Sequence, residues 1–176
     1  MSSPFPRTTV AGVSLSRMII GTNWILGYSH TTAAADAMIR TRNGAPEAIS
    51  DIVEAFLESG VDTIMVEMHG RRAVLDALKH SEDKTGRRII RVDTPVINVD
   101  DSLAARREAE AAIAESARTG AVFCLLHHSS VEQLVLKNAR AIPRLPDYLS
   151  MIREHGMIPG LSSHMPELVV FSDLNG

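Results

Sequence analysis

The side chains of this sequence that could carry chemistry are histidines and carboxylates placed at the ends of short apolar runs. They are Glu67, Asp93, His127 and His164. Imidazole and carboxylate groups together hold divalent metal ions, which polarise a carbonyl group or activate water. The same groups also serve as the base and acid that move a proton next to a carbonyl. We therefore predict these four residues to be catalytic, with Glu67, His127 and His164 as the ligands of a divalent metal.

Three further residues beside the apolar runs are predicted to bind substrate. They are Asn23, Trp24 and His69. The amphipathic ring of Trp24 suits a sugar face or a planar ligand when it lies at the mouth of a site. The sequence contains no HExxH, P-loop or GxGxxG motif, so the chemistry is inferred from position rather than from a diagnostic spacing.

The elements that must position these residues alternate along the chain. Short apolar runs rich in branched residues predict five buried strands, which are MIIGTNW (18–24), VDTIMVE (61–67), RRIIRVDTPVIN (87–98), AVFCLLHH (121–128) and MIPGLSS (157–163). Amphipathic patterns that each end in glycine predict the intervening helices, at 46–60, 71–86, 102–120 and 145–156. Unbroken apolar strands alternating with helices predict a single α/β domain over 1–176, with a parallel sheet covered by helices.

Two architectures fit this alternation. Residues 7–20 predict a hairpin around Ala11–Gly12 that leads into strand one. A (β/α)8 TIM barrel can use such a hairpin to plug its N-terminal end, and the chain would then supply about five βα units of it. A five-stranded flavodoxin-like sheet is the alternative. The stretch 27–45 is predicted to be a long connection with a functional role, and the site is expected at the carboxyl ends of the strands.

Four motifs resemble those of the aldo/keto reductases. VAGVSLSRMIIGTNWILG (10–27) resembles their opening hairpin and first strand, and VEMHGRR (66–72) the segment after strand two. CLLHH (124–128) resembles their fourth strand, which ends in histidine, and GLSSHMPELV (160–169) the segment after strand five. The resemblance covers nearly the whole chain. It implies a (β/α)8 barrel whose sixth to eighth strands are not in this chain.

The catalytic tetrad of that family is carried over at one position. The family uses Asp, Tyr, Lys and His, whereas the matching positions here are Ile64, His69, a third strand with Asp93 but no lysine, and His127. We therefore predict a TIM-barrel enzyme acting on a small polar carbonyl or carbohydrate by metal-assisted or acid–base isomerase, epimerase or lyase chemistry. The alternatives are an NADPH-dependent oxidoreductase of the aldo/keto reductase type and a non-catalytic barrel or fragment.

Composition limits the partners. The chain has 176 residues, a formal net charge of −3 and 4% aromatic residues, which gives no reason to expect a nucleic-acid partner. No apolar stretch approaches the roughly 18 residues of a membrane span. The single cysteine, Cys124, excludes an internal disulfide. We expect a cytoplasmic protein and, because an open sheet edge tends to pair with other chains, a homo-oligomer or a chain lacking the second half of its barrel.

Overall fold

A computed structural model describes residues 5–175 as an α/β protein in which helices flank a five-stranded parallel sheet. The strands of the described residues are β1 (Arg7–Val10), β2 (Val13–Ser16), β3 (Ile20–Gly21), β4 (Thr63–Val66), β5 (Ile90–Asp93), β6 (Phe123–Leu126) and β7 (Ile158–Leu161). The helices are α1 (Asn23–Leu26), α2 (Ala33–Asn43), α3 (Pro46–Glu58), α4 (Arg72–Thr85), α5 (Leu103–Arg118), α6 (His128–Val131), α7 (Leu145–Glu154) and α8 (Pro166–Asn175).

The strands of the large sheet follow one another in chain order, β3-β4-β5-β6-β7. A flavodoxin-like sheet has the order 2-1-3-4-5, so that alternative does not describe this protein. Sequential order is the order of strands in a (β/α)8 barrel, but an open sheet can have it too. The α/β class with a parallel sheet is therefore confirmed, and the barrel stays a prediction.

The predicted hairpin is confirmed. Strands β1 and β2 pair antiparallel with Val10 opposite Val13, which leaves Ala11 and Gly12 as a two-residue loop. Both loop residues have positive φ, 47° and 82°, as a type I′ turn requires. The turn type matches the right-handed twist of the strands it joins, which is why a glycine in this place indicates a hairpin.

The chain divides into two compact units, Met1–Arg91 and Val92–Gly176. In the first, the apolar face of α3 packs with α4 and with β4, and Val53 and Leu57 are fully buried. In the second, Ile113 of α5 and Ile152 of α7 are fully buried in a cluster that includes β6. Each such aliphatic side chain contributes about 1.5–3 kcal/mol by leaving water. That residues 1–176 form one domain stays a prediction.

The structure differs from the sequence interpretation at the ends of the strands. Each strand is shorter than predicted, and the run after β3 turns at once into α1, which carries Asn23 and Trp24 and ends at Gly27 in the left-handed region (φ 84°). The connection predicted over 27–45 contains α2 instead, because Thr32 caps an alanine-rich segment by accepting the N–H of Ala35 at 3.1 Å. None of the helices within residues 5–175 is long and apolar enough to cross a membrane.

Candidate functional site

In the second unit, the exit of β6 fixes the ring of His127. The residue is extended (φ −60°, ψ 141°) and begins the single turn of α6. With the ring proton on Nε2, Nδ1 accepts the main-chain N–H of Ser129 at 3.3 Å, and the Ser129 hydroxyl lies 2.7 Å from the same nitrogen. Ser129 therefore holds the half-buried imidazole through its Nδ1.

Three imidazoles stand in a row at the exits of β6 and β7. The ring centroids of His127 and His128 lie 4.2 Å apart, and those of His128 and His164 also lie 4.2 Å apart, with the second pair nearly parallel at 15°. We call His127, His128 and His164 the histidine row. Because β6 and β7 are adjacent parallel strands, their carboxyl ends bring the first two histidines and the third together at one edge of the sheet.

Glu132 anchors this row to the loop after β7. Its carboxylate accepts the main-chain N–H of His164 and the hydroxyl of Ser163 at 3.3 Å, and it lies 3.9 Å from Nδ1 of His128. The hydrogen bond from the His164 amide, together with the Ser163 hydroxyl and the charge of His128, holds the pKa of Glu132 below its usual value. A negative charge therefore stands beside the His128 ring at neutral pH.

Asp93, also in the second unit, is 2% exposed at the end of β5. Its Oδ1 accepts the main-chain N–H of Thr94 at 2.8 Å. Burial and the Asp93 carboxylate raise the pKa of the Cys124 thiol to about 12. The structure thus gives Asp93 a position beneath the surface, and its predicted catalytic role stays a prediction.

In the first unit, Glu67 follows β4 and pairs with Arg71. Nη2 of Arg71 donates to Oε2 of Glu67 at 3.0 Å and to the hydroxyl of Tyr28 at 2.9 Å, and the guanidinium also stands 5.9 Å from the centre of the Tyr28 ring. Burial opposes the charge of Arg71, but the hydrogen bonds to Glu67 and Tyr28 outweigh it and raise the pKa of the guanidinium. Glu67 is thus the partner of a permanent cation.

The residues predicted to bind substrate are exposed on the same unit. Trp24 is 61% exposed, and His69 is exposed as well. Nδ2 of Asn23 lies 2.8 Å from Nε2 of His30, a pair that holds both side chains at the surface after β3. These positions suit a binding role, which stays a prediction.

The structure therefore brings together His127 and His164, whereas Glu67 belongs to the other unit. Among residues 5–175, no group of three or more His, Cys, Asp or Glu side chains has an arrangement that could hold a metal ion. The metal role of Glu67, His127 and His164 stays a prediction. Sequence reasoning missed His128 and Glu132, although their spacing of four residues on a helical turn was a usable signal.

Comparison of the chain with protein-family models gave no match, and comparison with curated proteins gave none either. The likeness to aldo/keto reductases therefore rests on the four motifs and on His127.

Proposed function

We propose that the histidine row carries out acid–base chemistry at the carbon next to a carbonyl group, in a small polar carbonyl compound or a carbohydrate. The observation that carries the proposal is the contact of the three rings, each 4.2 Å from the next, beside the ionised carboxylate of Glu132. Imidazole suits this task because its ordinary pKa of about 6.5 lies close to neutral pH. The class of enzyme is an isomerase or epimerase.

His127 is the proposed acid, and His164 is the proposed base. In this proposal His127, whose Nδ1 is held by Ser129, gives a proton to a substrate carbonyl oxygen. His164, which is exposed, then takes the proton from the neighbouring carbon, and the electron pair of that C–H bond moves into an enediol whose oxygen holds the His127 proton. Return of a proton to the adjacent carbon, or to the opposite face, completes isomerisation or epimerisation.

The remaining two groups support the positive charge that this transfer creates. His128 stacks on His164, and Glu132 lies beside His128, so a proton gained by His164 meets a nearby negative charge. The site also stands where parallel α/β sheets place their ligands, at the carboxyl ends of adjacent strands.

Deuterium exchange tests the proposal directly. The purified chain is incubated in D2O with trioses, pentoses, hexoses and 2-hydroxy ketones, and label at the carbon next to the carbonyl is followed by NMR. We expect His127→Gln and His164→Gln each to lower exchange by about 100-fold or more. The matched control is His155→Gln, since His155 lies at the end of α7 and pairs with Glu110 at 3.2 Å. Equal loss in the control variant, or exchange unaffected by the first two, contradicts the proposal.

Two added measurements separate the other chemistries. Metal content is measured on the purified protein, and exchange is repeated after chelation. Loss of exchange that zinc or manganese restores would replace the acid–base route by a metal-assisted one. Oxidation of NADPH with a carbonyl substrate would instead support the reductase alternative.

A further inference from the structure

In the first unit, both hydrogen bonds of the Arg71 guanidinium start from one of its three nitrogens. The Tyr28 hydroxyl and the Glu67 carboxylate both accept from the same nitrogen of Arg71, Nη2. A guanidinium has five N–H donors, so this arrangement uses two of them. Nε of Arg71 is shielded from solvent and has no hydrogen-bond partner among residues 5–175. Because Nε is shielded, Nη1 is the nitrogen through which Arg71 could still bind a ligand.

Glu67 pairs with this guanidinium through one hydrogen bond. Arginine and carboxylate often pair through two parallel hydrogen bonds, whereas Glu67 accepts one, at 3.0 Å. The side chains of Arg71 and Glu67 are 30% and 35% exposed, so the pair is open to solvent on one side. The site therefore retains an accessible positive edge at Nη1.

Tyr28 adds a second donor at the same place. Its hydroxyl accepts the Arg71 N–H at 2.9 Å, which leaves the phenolic proton for another acceptor. Tyr28 follows β3 and Arg71 follows β4, two adjacent parallel strands, so both donors lie at the carboxyl edge of the sheet where ligands bind.

We propose that Arg71 and Tyr28 bind the carboxylate of a small organic acid. One carboxylate oxygen accepts from Nη1 of Arg71 and the other from the hydroxyl of Tyr28. Glu67 holds the guanidinium through Nη2 and, as a like charge, limits the affinity for the incoming anion. The site is argued from the first unit alone and does not depend on the histidine row.

Anion titration of the full chain tests this assignment. Acetate, glycolate and malonate are titrated at low ionic strength, and binding is followed by calorimetry and by the NMR signal of the Arg71 side chain. Inorganic phosphate is titrated in parallel. We expect saturable carboxylate binding that Arg71→Gln and Arg71→Lys each weaken by about tenfold or more, since lysine lacks the planar fork. Tyr28→Phe weakens it less, because the charge remains.

The neighbouring arginine is the matched control. Arg72 has an 87% exposed side chain and pairs with Asp76 at 3.0 Å, so Arg72→Gln removes the same charge one residue away. It is expected to change the affinity by less than about twofold, which exposed charges allow. Glu67→Gln is expected to tighten binding, because it removes the like charge while keeping an acceptor for Nη2.

Three outcomes overturn the proposal. They are the absence of saturable binding in the unsubstituted chain, equal weakening by Arg71→Gln and Arg72→Gln, and binding of phosphate but of no carboxylate. Circular dichroism of every variant shows whether it is folded, and Tyr28→Phe, which leaves the ion pair intact, keeps the test informative if Arg71→Gln is not. Because the readout is binding rather than turnover, the result is independent of the proton-exchange experiment.

Discussion

The carboxylate of Glu132, directly after α6, accepts the main-chain N–H of His164, just after β7. This contact joins two segments that are distant in sequence and sets His164 against the ring of His128. Because the acceptor is an ionised carboxylate, the strength of this contact depends on pH.

Replacing Glu132 is expected to change stability in a pH-dependent way. The pKa of Glu132 is lower in the folded chain than its ordinary value of 4.5, so its stabilising effect is present above that value and is lost as the pH falls through the folded pKa. Glu132→Gln should therefore lower the free energy of unfolding at pH 7 and make a smaller difference near pH 3. Urea unfolding at both pH values measures this. Glu154→Gln, an exposed substitution on α7, should show no such difference.

The packing of β7 against β6 is expected to depend on a glycine. A Cβ added at Gly160 would lie 2.9 Å from Cγ of Leu125, closer than real carbon atoms approach. We expect Gly160→Ala to destabilise the protein by about 1–3 kcal/mol, the usual cost of overpacking. Gly21→Ala on β3 is the control, since nothing lies within 4 Å of its added carbon. Thermal and urea unfolding compare the two, and similar stability would show that Leu125 moves aside without cost.

The single thiol is expected to be inert in the folded protein. Burial, with the Asp93 carboxylate nearby, raises the pKa of Cys124 to about 12, so roughly one thiol in ten thousand is ionised at pH 8. A thiol-reactive dye should label Cys124 in guanidinium chloride and leave it unlabelled under native conditions. Rapid native labelling would mean that β6 opens to solvent.

The hairpin loop offers a stabilising substitution. Ala11 has φ 47°, in the left-handed region that alanine disfavours and asparagine tolerates. Ala11→Asn should raise the free energy of unfolding by about 0.5–1 kcal/mol, because Asn-Gly is the favoured pair of a type I′ turn. Ala11→Val should lower it. Chemical unfolding of the three proteins gives the order, and an order with valine highest would contradict the turn assignment.

The edge strand β7 limits how the sheet could pair with a strand of another chain. The N–H groups of Ile158 and Ser162 donate to the carbonyl groups of Val122 and Leu126, on the side of β6, at 2.9 and 3.1 Å. Because successive backbone nitrogens of a strand point to opposite sides, the nitrogen of Pro159 faces the other edge of β7. Proline there removes one donor that an added strand would use. The predicted homo-oligomer stays a prediction, which light scattering of the purified chain tests.

Local patterns predicted most of the fold. Helices α3, α4, α5 and α7 lie within the ranges that their apolar spacing predicted, and the glycines that close them, at 60, 86, 120 and 156, all have positive φ between 68° and 85°. The prediction was weaker after β3, where α1 and α2 are short or weakly amphipathic. A capping threonine and four alanines stabilise α2 without an apolar stripe that the sequence pattern would reveal.

The sequence by itself determined the strands along the chain, helices α3, α4, α5 and α7, the hairpin turn and the place of His127 at a strand end. These features follow from short-range periodicity and from the positive φ angles that glycine can adopt. Only the tertiary structure decided that His128 lies between two other rings, that Glu132 holds His164, and that Tyr28 and Glu67 share one nitrogen of Arg71. Those contacts join residues from different strand exits, and their geometry depends on which strands are neighbours and where each strand ends.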